Sequence, residues 1–245
     1  MNRRAILIRG YHYHENHNGA SSFFKTNKPN RGGKYNLDYR RHFKDTFKKY
    51  ILDTSNIETD IFISTENSPI AEEMLNLYNP KKYIFLDFNK TKQAHTLEQG
   101  LQLIKKYSFE NNIKYDYIFC TRFDLKYYDN PINLFDLKVK NKISVFSYPT
   151  QFKDYDNWKG QFINGDFVHL IPPEVIDKFI IDLEKRKSNT SSGKQLQSVS
   201  NLSKYLNLYN IIPFNEITQN IITIDREFCD SIKTSSEEFK KYNWR

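Results

Sequence analysis

Between Tyr115 and Asp124 the chain reads Tyr-Asp-Tyr-Ile-Phe-Cys-Thr-Arg-Phe-Asp, an apolar and aromatic run that stops in charge. A strand that loses the alternation of polar and apolar residues is one covered on both faces, which makes this the central strand of a mostly parallel sheet flanked by helices. Open α/β sheets bind their ligands just beyond the carboxyl ends of such strands. Arg122 and Asp124 stand at that end, and residues two apart in extended chain project to the same side. A cation and a carboxylate facing one spot suit a phosphate with its metal. The plain alternative is a charged pair that caps the strand and forms a solvated ion pair of little energetic weight.

The rest of the chain supplies the other layers. Arg3 to Gly10 is a four-residue apolar core bounded by arginines, the length of a first buried strand. Arg9-Gly10 should reach the same edge as Asp124, the glycine permitting close backbone approach and the guanidinium offering a planar fork for phosphate or a base edge. An ordinary strand-to-loop turn is the competing reading. Asp38 to Leu52 carries an aromatic stripe at helical spacing, Asp60 to Asn67 reads as a second strand with Thr65 and Glu66 at its polar end, and Ile70 to Tyr78 as a short helix. Tyr83 to Phe88 is a third strand, and Gln93 to Asn111 a helix that returns the chain to the central strand in a right-handed crossover. Beyond it come a strand at Ile143 to Tyr148, the segment Gln161 to Leu170, helices from Pro172 to about Lys185 and from Gln195 to Leu208, and short closing strands near Ile211 and Ile224. In the Gln161 to Leu170 segment Asp166, acidic between apolar flanks, could act as a general base, while Asn164-Gly165-Asp166 equally has the composition of a hairpin turn. His169 is the second candidate base, or a core histidine.

The segment Asp116 to Asp124, with the long helix before it and the Pro-containing loop after it, resembles the Tyr-Asp-x-Ile/Val-x-x-Arg-x-Asp signature of some nucleotide-sugar glycosyltransferases of the GT-A fold, which build surface glycans in bacteria and large DNA viruses. The wider class carries Asp-x-Asp at this position; here the triplet is Arg122-Phe123-Asp124. The resemblance implies a single GT-A-like, Rossmann-like domain over 1–245, with a nucleotide-sugar-binding half at 1–124 and an acceptor half at 125–245. It implies that Asp124 is the ligand of a divalent metal, Mn²⁺ or Mg²⁺, on the donor diphosphate, with Arg122 in place of the first acid. It also places Thr65 beside the nucleoside and makes Gln93 a candidate donor contact, although a solvent-facing Gln is the commoner case. Arg9 and Gly10 complete the expected donor site, and a glycan or other hydroxyl compound is the expected acceptor, with Tyr155 and Trp158 in the loop Gln151 to Gly160 suited to stacking on it.

Composition bounds the alternatives. Lys plus Arg exceed Asp plus Glu by 37 − 29 = 8, so anions should be attracted. The lysines are spread along the chain, without the basic and aromatic interleaving of an RNA-binding motif, which disfavours nucleic acid. The rival from another class is a non-catalytic basic module that binds nucleic acid or glycan by charge. The polar stretch Tyr11 to Asn36 holds three of the six histidines, His12, His14 and His17, but no zinc spacing, and Arg31-Gly32-Gly33-Lys34 lacks the Walker pattern; a lid over donor or acceptor is the expectation. Two cysteines and no apolar run near the ~20 residues that span a bilayer lead to the expectation of a soluble, cytoplasmic chain without disulfides.

Overall fold

A computed structural model describes residues 3–10, 42–54, 56–68, 71–86, 93–123, 125–148, 163–189, 208–213 and 222–224. The first apolar run becomes β1 (Arg3–Arg9), in which Ala5, Ile6, Leu7 and Ile8 have no solvent exposure. β2 (Glu58–Glu66) pairs parallel to one side of β1, and β3 (Lys82–Leu86) pairs parallel to β2. β4 (Tyr117–Arg122) pairs parallel to the other side of β1. β5 (Leu125–Tyr127) leaves this sheet and pairs antiparallel with β9 (Ile222–Ile224). The main sheet continues through β7 (Ile163–Ile171), antiparallel both to β4 and to β6 (Ile143–Tyr148), and ends on β8 (Tyr209–Pro213), parallel to β6. Among the described residues it has seven strands in the order β3-β2-β1-β4-β7-β6-β8, and β7 alone opposes the others. The expected mostly parallel α/β sheet is therefore what the chain forms, and one sheet runs through both halves of the sequence.

Strand alternation divides the core in two. Ile6, Ile8, Ile61, Ile63 and Phe119 pack against helices α1 (His42–Leu52) and α2 (Ala71–Tyr78) through Phe47, Ile51, Met74 and Tyr78. Ala5, Leu7, Phe62, Ile118 and Cys120 face the other layer, built from α3 (Gln93–Glu110) and α4 (Ile176–Asn189), through Ala94, Leu97, Leu101, Phe179 and Leu183. Helix α1 is wound as a π-helix, and the chain leaves it with Asp53 N donating to Lys48 O at 2.9 Å. Helices α2 and α3 end at asparagines in the left-handed region, Asn79 at φ 46° and Asn112 at φ 52°, where Asn is one of the few side chains accommodated. A Cβ on Gly100 would lie 2.6 Å from both Leu7 methyl carbons, so the absence of a side chain there lets α3 lie close on β1.

The amino-terminal edge of the sheet is fastened by a buried polar network. Asp60 accepts from Arg3 Nε at 2.9 Å and from Tyr115 Oη at 2.7 Å, with Lys81 Nζ 3.9 Å from its other oxygen. Arg4, also buried, donates to Thr59 Oγ1 at 2.8 Å and to the Ile51 carbonyl at 2.6 Å, which ties the end of α1 to β1. Burial, with the bond to Asp60, pushes the Tyr115 phenol well above its ordinary pKa. The charges of Arg3, Arg4 and Asp60 are thus held by partners within this edge.

Candidate functional site at the carboxyl edge of the sheet

Register brings the sequence-predicted residues of the first half together. Arg9 is paired with Ser64 on one side and with Arg122 on the other, so the ends of β2, β1 and β4 lie in one row. Arg9 follows Leu7 by two residues and Arg122 follows Cys120 by two, which places both on the α3–α4 face of the sheet. Arg9 is buried and Arg122 only partly so. The positive charge of Arg9 is felt by Cys120, whose thiol burial nonetheless pushes up to about 12, leaving it an unreactive member of the core.

Gly10 turns the chain out of β1 with φ +93°, a conformation that strains any residue with a side chain. Among the described residues a Cβ there would meet no atom within 4 Å. The turn is held from β2: Gly10 N donates to Ser64 O at 3.3 Å, and Thr65 Oγ1 donates to Gly10 O at 2.7 Å. Thr65 is buried, and its hydroxyl shapes the turn. The adjacent Glu66 closes β2, where burial raises its carboxyl to about 7. The sequence marks Glu66 only as part of a polar strand end; burial of its carboxyl depends on neighbours remote in the chain.

Helix α3 starts over the same edge. Ser64 Oγ donates to Thr96 O at 2.9 Å, fixing the first turn of α3 to the end of β2. Gln93 is its first residue. Beside it a polar group that sequence reading passed over comes into view: Glu98 is buried on α3 and bonded to His95 and to Gln102.

The second-half candidates fall differently. Residues 163–171 form β7, so Asn164, Gly165 and Asp166 belong to a strand and the hairpin-turn alternative is set aside. The ladder from β7 to β4 covers His169 to Ile171, and that to β6 covers Ile163, Asn164, His169 and Leu170 with an irregularity between, so Asn164 is held by β6. His169 sits opposite Cys120, 3% exposed, its ring 5.8 Å from that of Phe179 on α4, inside the layer beneath the edge. Asp124, the loop Tyr11 to Asn36 with its histidines, Asp87 and the loop Gln151 to Gly160 lie outside the described residues, as does nearly all of the expected helix Gln195 to Leu208. Among the described residues no three His, Cys, Asp or Glu side chains assemble as a metal site.

No protein-family model matches the chain, and no curated protein matches it. Solved structures do. 4-Diphosphocytidyl-2C-methyl-D-erythritol synthase from Anaerococcus prevotii superposes with a TM-score of 0.51 at 11% identity, over 98% of this chain and 99% of that one. The fold is GT-A-like. CTP:phosphocholine cytidylyltransferase from Streptococcus pneumoniae (TM-score 0.48, 13% identity, 95% of this chain and 99% of that one) lies further off. So does a glycosyltransferase involved in glycosylation of the major capsid of PBCV-1 (TM-score 0.43, 11% identity, 95% and 100%). No helix among the described residues is long and apolar enough to cross a membrane.

Proposed function

We propose that this chain transfers a sugar from a nucleotide-diphospho-sugar to a hydroxyl acceptor. The observation that carries the reading is the register pairing of Arg9 with Arg122 at the carboxyl ends of adjacent parallel strands, on one face. A diphosphate matches both the charge and the planar donor pattern of two guanidiniums at neighbouring strand ends. Arg122, partly exposed, contacts the phosphate oxygens, while buried Arg9 supplies fixed positive potential behind it. The open backbone at Gly10 admits the nucleotide alongside. A metal on Asp124, when bound, would neutralise further charge on the departing diphosphate. Asp166, from the oppositely directed strand, is assigned to take the proton of the acceptor hydroxyl in an inverting transfer.

The test has two arms. Thermal shift of the full chain against UDP-glucose, UDP-galactose and GDP-mannose, with and without Mn²⁺, should find a stabilising donor, and Arg122→Ala should weaken that donor about 10- to 100-fold, the loss of a charge-assisted contact. Asp124→Ala should abolish the effect of Mn²⁺. The product then separates reactions: release of a nucleoside diphosphate from the donor is glycosyl transfer, whereas pyrophosphate released from a nucleoside triphosphate would assign nucleotidyl transfer to the same edge. Binding of nucleic acid that falls steeply with salt, with no nucleotide-sugar response, would favour the non-catalytic module instead.

A further inference from the structure

Helices α3 and α4 each bury one stripe against the sheet and turn a second one outward. Leu97 and Leu101 of α3 and Phe179 and Leu183 of α4 belong to the core. Lys105, Lys106 and Phe109 on α3, and Asp177, Ile181 and Glu184 on α4, recur at helical spacing on the outer faces and are exposed. They line a groove of about 640 Å³ between the two helices, together with the buried Ile180. Phe109 is 88% exposed, more than any other large apolar side chain among the described residues, and Ile181 is 49% exposed. A lone apolar residue on a surface is ordinary. Here two helices bring theirs into one groove with charges around it, which is the make-up of an interaction surface.

The charges around that groove are sorted by helix. Lys105 and Lys106 give it a basic wall on α3, and Asp177 and Glu184 an acidic wall on α4. Lys105 and Asp177 stand at one level and meet across it, Nζ to Oδ1 at 2.5 Å, with both side chains still more than half exposed. Lys106 also pairs with Glu110 of its own helix at 3.8 Å and remains largely in water. Such a surface fits a second copy of itself under one kind of rotation. A two-fold axis along the groove exchanges the walls and keeps the level, so that each basic wall lies on an acidic one; an axis across the groove lays like charge on like. Under the first rotation the two Lys105–Asp177 pairs stack head to tail, each charge beside its opposite in its own chain and in the partner subunit. Phe109 and Ile181 are covered by the same contact.

We propose that two copies of this chain associate through this face, about a two-fold axis along the groove, with α3 of each lying over α4 of the other. Helices of 18 and 14 residues are about 27 and 21 Å long, and set about 10 Å apart they give each copy a face of roughly 20 by 20 Å, the size of a transient interface rather than an obligate one. The dimer therefore forms with rising concentration. It uses none of the residues of the Arg9–Arg122 row.

The experiment is sedimentation velocity of the full chain from about 5 to 500 µM, the range in which an interface of this size associates. Wild type should pass from monomer to dimer across it. Phe109→Glu should raise the dissociation constant about tenfold or more, with a melting curve like that of wild type because the residue is exposed. Lys105→Glu and Asp177→Lys should each be monomeric alone, since like charges then face each other across the axis. An equimolar mixture of these two variants should dimerise, because the face made more acidic meets the face made more basic; recovery on mixing also shows that both are folded. Wild type that stays monomeric at about 500 µM overturns the proposal and leaves the groove to a helix of some other protein. A dimer that Phe109→Glu leaves intact overturns it as well, as do charge variants that fail to recover on mixing, since the contact then lies on another face.

Discussion

Glu66→Gln tests whether the end of β2 is as dry as the structure makes it. Burial holds the Glu66 carboxyl at about 7, against 4.5 for a free glutamate. The proton is then bound more tightly in the folded than in the unfolded chain. The associated stability is fully present below about pH 4.5 and is lost as pH rises through 7, because the folded state must there keep a charge in a poorly solvated place. A difference of about 2.5 pH units at about 1.4 kcal/mol each sets a ceiling of roughly 3 kcal/mol. Solvent around a side chain that is only partly buried screens this to about 1–2 kcal/mol. Glutamine has nearly the same shape and never ionises. Urea denaturation of wild type and variant should therefore give nearly equal midpoints at pH 4.5, with the variant more stable by about 1–2 kcal/mol at pH 8.5. An advantage that is the same at both pH values, or larger in acid, would show that the carboxyl is solvated and that the change acts by some route other than charge burial.

Asp60→Ala should destabilise the fold by about 3–5 kcal/mol, seen as a lowered melting temperature, because it leaves Arg3 and Tyr115 facing a hole where a buried acid had bonded both. Asp166→Asn should slow single-turnover transfer at saturating donor by about 10²- to 10⁴-fold with donor affinity and melting temperature little changed; transfer at the wild-type rate would remove the base assignment.

The buried strands were legible because they are covered on both faces: Ala5 to Ile8 and Tyr117 to Cys120 are unbroken apolar runs, and their register then followed from parallel packing. The row of Arg9 and Arg122 was legible for the same reason, since each charge ends such a run. Elsewhere the decisive information was tertiary. Asn164-Gly165-Asp166 has turn composition, yet it belongs to a strand that pairs with β6 through Ile163 and Asn164. β5 has three residues, too few to show a period. Glu98 has the spacing of a helix's solvent face, yet it is buried, on a helix that packs beside α4 against the same face of the sheet. The bond from the Thr65 hydroxyl to the glycine turn one strand away has no counterpart in the sequence pattern, since the two residues are remote in the chain.

The single opposed strand has a consequence for how the chain is made. β4 ends at Arg122, yet the strand that covers its open side, β7, ends at Ile171, 49 residues later. At about 5–20 residues per second on the ribosome, the edge bearing Ile118 and Phe119 waits roughly 2–10 s for its partner. During that interval β1 to β4 and α3 can already pair through their own crossovers, and the nascent sheet presents an apolar, hydrogen-bond-hungry border of the kind that recruits another chain. Codon-level pausing between positions 122 and 163 should then lower soluble yield, and faster translation of that interval should raise it.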